Sequence, residues 1–140
     1  MGKYGVCKNA FIEVAGVDLS DHCSDLQPVY GNNTLPMQTH GDNQDYSSPG
    51  LRTRGLSAKF LMDFAAGSVF ATLNPLKNGA YHVVKYRHDK DQAVSALNPT
   101  FSGLWFISNA TGLVGGAIGA QSECTINWTP AGDEDEITSA

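Results

Sequence analysis

The run from Leu51 to Leu76, LRTRGLSAKFLMDFAAGSVFATLNPL, changes its hydrophobic period partway along, and this change constrains the fold more than any other stretch. Leu56, Ala58, Phe60, Met62 and Phe64 alternate with Ser57, Lys59, Leu61 and Asp63, a period of two that lays one apolar row along a strand face. The period then lengthens. Val69, Leu73 and Leu76 fall at i, i+4 and i+7, with Ser68 placed to cap a short helix and Pro75 placed to end it. A strand running into a short amphipathic helix requires a sheet with one helix packed on it.

The rest of the chain reads as β-rich. Ala10 to Val14 is a short apolar strand, and Ala15-Gly16 is a turn into Val17-Asp18-Leu19-Ser20. From Ser20 to Tyr30 the pattern is ambiguous: Leu26, Val29 and Tyr30 fit a second strand interrupted near Pro28, which puts that strand at an edge or breaks it. Gly31 to Gly50 is rich in Asn, Gly, Ser and Pro, and is expected to be a long loop with room for a short strand around Leu35 to Thr39. Tyr81 to Tyr86 reads as a strand after the Asn78-Gly79 turn, and Arg87 to Asn98 as a long connection ending at Pro99. Phe101 to Ser108, FSGLWFIS, has the aromatic and branched content of a central strand. Cys124, Ile126 and Trp128 alternate in a final strand, joined to the preceding one through the glycine-rich hairpin connection TGLVGGAIG. The acidic run Asp133-Glu134-Asp135-Glu136 is expected to be solvated or disordered. There is no internal repeat and no domain boundary, so residues 1–140 are expected to form one domain.

Charged residues make up 16% of the chain, against the roughly 25% of an average protein, so much of the surface is neutral. That suits a surface taken up by neighbouring subunits; a Gly- and Asn-rich monomer would look similar. The net charge of −5 argues against general nucleic-acid binding by phosphate neutralisation, and does not exclude DNA passing without being held. Cys7, Cys23 and Cys124 are three, which cannot all pair within one chain, and no apolar leader precedes Met1-Gly2-Lys3-Tyr4. Reduced thiols are the expectation, and sequons such as Asn109-Ala110-Thr111 are expected to be accidental. No apolar run approaches the ~20 residues that span a bilayer, so no membrane partner is expected.

Chemistry is not apparent. The glycines of TGLVGGAIGA lack the Gly-x-Gly-x-x-Gly order of a phosphate cradle. His22-Cys23, Cys7, His40, His82 and His88 are scattered and lack zinc-ligand spacing, and Asp42, Asp45 and the acidic tail lack the alternating oxygen ligands of a calcium loop. Ser57, Ser68 and Ser102 lie in no nucleophile-elbow context. No catalytic, cofactor-binding or metal residue is assigned, no cofactor is expected, and the chain is not expected to be an enzyme.

The order of segments is more specific than any of these motifs. VAGVDLSDHCSDL, the Gly41-Asp42 dipeptide, PGLRTRGLSAKFLMDFAAGSVFATLNPL, the Tyr81 to Tyr86 strand, NPTFSGLWFISNATG and SECTINWTPAG together resemble the small major tail proteins of long-tailed bacteriophages, over roughly Val14 to Gly132. Asn74 stands where that pattern carries a Trp before the proline, and Lys77-Asn78-Gly79 departs from its turn.

The resemblance implies a mainly β fold, a two-sheet β-sandwich or barrel with one short flanking α-helix and a long inter-strand loop. It implies a structural virion protein that self-assembles into stacked hexameric rings, forming the tail tube through which DNA is delivered. On that reading residues 1–9 are an N-terminal arm, 31–50 a long assembly loop and 133–140 an acidic C-terminal tail. The partners are other copies of the chain, other tail or neck proteins, and DNA passing through the lumen without specific binding. The place is the virion tail, after synthesis in the host cytoplasm. Two alternatives remain open, a capsid decoration or cement protein and a small β-sandwich ligand-binding module.

Overall fold

Strand β4 (Ser47–Leu61) carries the alternation that the sequence announces: Leu56, Ala58 and Phe60 are buried while Ser57 and Lys59 face outward. The computed structural model describes residues 10–37, 41, 43–44, 46–116 and 118–138. The segment 1–9 with Cys7, and His40, Asp42 and Asp45, lie outside the described residues. Before β4 come β1 (Phe11–Val14), β2 (Val17–Asp18) and β3 (Cys23–Pro36). After it come helix α1 (Val69–Leu73), β5 (His82–Arg87), β6 (Thr100–Thr111) and β7 (Glu123–Ile137). The fold is mainly β with a single short helix, and all strand pairs are antiparallel.

The described strands hydrogen-bond as one sheet in the order β2-β1-β5-β6-β7-β4-β3. It is not flat. In a flat sheet β3 and β5 would stand about 19 Å apart, four strand spacings, yet the hydroxyls of Tyr30 on β3 and Tyr86 on β5 are 2.6 Å apart. Register shifts at Gly103/Trp105 and Ile107/Asn109 between β6 and β7, and two more between β3 and β4, supply the local bends that let the sheet curl over its own core. The layers expected of a sandwich are thus continuous through hydrogen bonds.

The concave face holds Ile12 and Val14 of β1, Phe60 of β4, Val84 of β5, Trp105 of β6 and Ile126 of β7, all fully buried. Helix α1 places Val69 and Leu73 in the same cluster, with Leu76 packed against it. Pro75 acts as expected: it converts the end of α1 into a 3-10 turn over Asn74–Leu76. Ser68 stands at the N-cap in extended conformation, but its side chain caps no amide of the helix. The neighbouring acid organises this turn instead. Asp63 Oδ1 accepts from the Ala65 amide at 2.9 Å and its carbonyl accepts from Phe70 at 3.1 Å. The Ala65 amide, the Ser68 hydroxyl and His22 hold the Asp63 carboxyl below its ordinary value.

Several expectations need correction. The apolar row does not reach Phe64, which is 60% exposed and rests on Phe70 at 5.0 Å, because the strand ends at Leu61 and Asp63 begins a turn. Of the two outcomes expected from Pro28, the edge placement holds and the break does not: β3 runs through Pro28 as the outermost described strand, where a missing amide hydrogen costs no ladder bond on its open side. Asp133 to Glu136 are neither loose nor disordered, since they belong to β7 and pair with β6, Glu134 opposite Gly103 and Glu136 opposite Phe101. Ala15 and Gly16 form the expected turn, both with positive φ (52° and 85°), as a two-residue hairpin between Val14 and Val17 demands. Where the glycine-rich connection leaves β6, a Cβ on Gly112 would fall 2.4 Å from the Glu123 carbonyl, so only glycine fits.

Cys23 is half-buried, with its Sγ 3.2 Å from the Asp25 carbonyl, and Cys124 is buried. They lie opposite Phe60 on its two sides, two strand spacings apart or about 10 Å, beyond disulfide reach. Burial pushes the Cys124 thiol above its ordinary value, which leaves it inert.

His82 is a buried polar joint in this core. Trp128 Nε1 donates to His82 Nε2 at 2.9 Å, and His82 Nδ1 lies 2.9 Å from the Ala80 carbonyl. Indole nitrogen can only donate, so Nε2 must accept and Nδ1 must carry the proton. A second proton on Nε2 would oppose the indole N–H, and burial already holds this pKa below its usual value. As pH falls through about 6.5 the unfolded chain takes up the proton before the folded chain does, so stability present above that value is progressively lost. The urea midpoint should fall between about pH 8 and pH 5, and His82→Gln should flatten the profile there. Identical profiles for the two proteins would contradict this account.

Candidate assembly surfaces

Strands β3 and β4 remain paired from Cys23 opposite Phe60 to Pro36 opposite Ser47, but β4 pairs with β7 only from Leu56 opposite Trp128 to Leu61 opposite Glu123. Beyond Leu56 the two strands leave the sheet as a ribbon, an arm made of residues 29–36 and 47–55. The expected 31–50 loop is therefore mostly a β-hairpin, and just beyond Pro36 and Ser47 the Met37 amide donates to the Tyr46 carbonyl at 2.9 Å. Polar residues on both faces of the ribbon hide the period of two that would have marked it in the sequence. Eight residues of strand extend about 26 Å.

The arm is not self-sufficient. A lone two-stranded ribbon is marginal in water, and this one exposes Val29, Tyr30, Leu35, Met37, Tyr46 and Leu51, the last at 80%. These side chains leave apolar area uncovered on a projecting element.

β7 also continues past Trp128, to Ile137, where among the described residues β6 is its only strand neighbour. The chain therefore forks: the β3–β4 arm leaves on one side and the β6–β7 ribbon on the other. The open cleft between them has a volume of about 910 Å³ and is lined by Arg52 and Arg54 on one wall and by Asp133, Glu134, Asp135 and Glu136 on the other.

A polar and aromatic joint holds the base of the fork. Arg54 Nη2 donates to the Gly132 carbonyl, Nη1 lies 3.4 Å from Glu134 Oε2, and the guanidinium sits 5.0 Å over the Trp105 ring. Tyr86 donates to Glu134 Oε2 at 2.6 Å and Tyr30 reaches the same carboxylate at 3.1 Å. Phe101 packs between the phenols, 5.5 Å from the Tyr86 ring and 6.2 Å from that of Tyr30. Burial, followed by the bonds to Glu134 and Tyr30, drives the Tyr86 hydroxyl well above its ordinary pKa, and burial raises that of Tyr30. Both phenols stay protonated and serve as donors. No sequence motif marks Tyr30, Arg54 or Tyr86, and Glu134 is marked only as part of the acidic run.

The convex face of the sheet has a different chemistry. Ser57, Ser102, Ser108, Thr125 and Asn127 alternate with the buried positions. The charges among them are matched, Lys59 to Glu123 at 3.7 Å and Lys85 to Glu13 at 3.9 Å. At the β2 edge, Lys90 reaches Asp18 at 2.9 Å. Partial burial works against the Asp18 charge, but the Ser20 hydroxyl and amide and Lys90 together hold its carboxyl below its ordinary value. The connection leading there is built, not loose: Asn98 Nδ2 donates to the Asp89, Gln92 and Ala93 carbonyls, and Arg87 to those of Asp89 and Lys90.

The chemistry-bearing residues stay apart. His22 pairs with Asp63 at 3.0 Å, His82 is buried behind Trp128, and Ser57, Ser68 and Ser102 lie on β4, before α1 and on β6. Among the described residues no three His, Cys, Asp or Glu side chains converge as metal ligands. No described helix is long and apolar enough to cross a membrane.

No family model matches the chain, and no curated protein matches it significantly. Solved structures do. A chain of the virion of a native gene transfer agent superposes with TM-score 0.69 at 10% identity, over 95% of this chain and 98% of the other. A chain of the tail of an empty gene transfer agent particle, of C6 symmetry, gives 0.67 at 9% identity over 96% and 98%. The SPP1 tail tube gives 0.69 at 11% identity, over 94% of this chain and 77% of that one. The chain has the fold of a tail-tube subunit. At identities this low the shared property is the fold, not the sequence.

The joint at the fork makes a prediction about this fold. Glu134→Ala removes the acceptor shared by two phenols and Arg54, and should lower stability by about 1–3 kcal/mol. Amide exchange should quicken in residues 29–36 and 47–55 and change little in β5. Unchanged exchange in the arm, read by mass spectrometry beside the urea midpoint, would show that the joint does not hold it.

Proposed function

We propose that this chain is a structural virion protein that self-assembles into stacked six-membered rings, forming a tail tube through which DNA passes. The observation that carries the reading is the pairing of a tail-tube fold over nearly the whole chain with a projecting arm that exposes apolar side chains. The tail of the empty gene transfer agent particle has C6 symmetry, and the baseplate of the anti-feeding prophage, matched at TM-score 0.58, is six-fold symmetrised.

The geometry supplies what such an assembly needs. The sheet has two ends, β2 with β1 and the long β3, and an open edge strand invites pairing with another chain. Rotational closure of copies edge to edge leaves no exposed edge within a ring. The arm extends far enough from the sheet to reach a neighbouring subunit or ring. There its apolar side chains leave water, contributing about 25 cal/mol for each Å² buried.

The role is architectural and not catalytic, with other copies of the chain and further tail or neck proteins as partners and the virion tail as its place. DNA is guided and not gripped. Matched ion pairs and small hydroxyls on the convex face offer no excess of cations to release counterions from phosphates, and the net charge of −5 opposes adhesion.

Replacing residues 33–51 by Asn-Gly would join Asn32 to Arg52, which are already paired, through a two-residue hairpin turn. The shortened chain should fold, with its buried core intact by circular dichroism and cooperative unfolding, and should form no tubes in negative-stain electron microscopy where the full chain does. Tubes from the shortened chain would remove the arm from the assembly contact. A full chain that yields neither rings nor tubes would overturn the function itself.

A further inference from the structure

We propose that His82 is an acid-sensitive latch: a second proton on its ring frees Trp128 and loosens the rung from which the β3–β4 arm departs. The latch lies within one chain and does not depend on ring formation.

Its position is the base of the fork. Trp128 and Leu56 form the last rung that β7 shares with β4, and beyond it the two strands part. His82, at the start of β5, stands opposite Trp105 of β6, whose ring lies 5.0 Å beneath the Arg54 guanidinium. Its Nε2 accepts the Trp128 indole hydrogen at 2.9 Å. One imidazole is therefore set beside both tryptophans from which the fork opens.

The ring has no second way to make these bonds. Nδ1 donates to the Ala80 carbonyl at 2.9 Å, and turning the ring over would put carbon atoms where both nitrogens stand. With a second proton, Nε2 faces the indole N–H donor against donor. Phe60, fully buried, packs edge-on against Trp128 at 6.4 Å, which leaves the side of the fork for the indole to move. The base offers no spare acceptor: among the described residues Trp105 Nε1 is buried without a hydrogen-bond partner, and Arg54 Nη1, 3.4 Å from Glu134, makes no aligned bond.

No carboxylate meets the imidazolium. On the surrounding elements Arg54 is matched by Glu134, Lys59 by Glu123 and Lys85 by Glu13, the Tyr86 hydroxyl donates to Glu134, and α1 carries no charge. Burial weighs against the proton while the latch is closed, opposed by the Ala80 carbonyl. An open latch wets the ring and accepts the proton, so acid favours the open form by up to about tenfold per pH unit.

Amide exchange read by mass spectrometry provides the test, comparing the full chain with His82→Gln at each pH. Intrinsic exchange chemistry, Glu134, His22, His40 and His88 are common to both proteins and cancel. Glutamine can accept from Trp128 and donate to Ala80, but it does not titrate. At about pH 7.5 residues 52–58 should exchange alike in the two; at about pH 5 they should exchange about tenfold to thirtyfold faster in the wild type, as one proton bound about 1.5 pH units below the ordinary histidine value requires. β1 should not change. Equal rates in acid would overturn the latch, and so would an acceleration spread evenly over β1 and β4, which is global destabilisation alone. Should His82→Gln fail to fold, the wild-type indole N–H resonances decide: that of Trp128 should shift with the midpoint of the His82 titration, and a Trp128 resonance indifferent to it would overturn the proposal.

Discussion

The architecture depends on where one ladder of hydrogen bonds stops. β7 pairs with β6 along both of its halves but with β4 only as far as Trp128 opposite Leu56. Two residues on, Pro130 has no amide hydrogen, and the bulge between Gly103 and Trp105 bends the β6–β7 ribbon at the same level. Below this point the sheet is continuous and buries one core. Above it the sheet splits into two ribbons that cannot bury themselves. The distinction between a self-contained body and a surface waiting for neighbours is set at that rung.

A split sheet exposes backbone and apolar side chains, and the base of the fork is where this is held in check. Arg54 crosses to Gly132 and Glu134, and the two phenols close on the same carboxylate over Phe101 and beside Trp105. Breaking one member strands the others in a half-buried place, so the cost falls on the group as a whole. This ties the base of the arm to the β6–β7 ribbon. The convex face is built differently. Lys59 and Lys85 are matched there by Glu123 and Glu13, and small polar side chains share the face with the exposed Val83 and the Tyr81–Phe106 pair.

Legibility followed burial. Leu56, Ala58 and Phe60, Cys124, Ile126 and Trp128, and Val69 with Leu73 were readable because one side of each element is fully buried, which forces a strict period on the sequence. The β3–β4 arm and the acidic end of β7 look like loop and tail in the sequence because they are exposed on both faces. Without a buried side there is no period to detect, and Asn, Gly, Ser and Pro are as acceptable in an exposed ribbon as in a turn. The fork joint was hidden for another reason. Tyr30, Arg54, Tyr86 and Glu134 come from four strands and lie up to 104 positions apart, a convergence no local spacing can express.

By itself the sequence determined that this is a β-rich chain with one short helix, that its core rows lie on β4, β6 and β7, and that no assembled chemistry is written into a local motif. Those properties follow from side-chain alternation and from residue spacing, both local. The tertiary structure decided that the strands form one curled sheet, that its long strands outrun their partners to leave an arm and a fork, and that an acidic run is half of a cleft. These depend on which strand edges meet. A strand's sequence specifies which of its faces is buried far more strongly than it specifies its neighbour, because backbone donors and acceptors are the same on every edge.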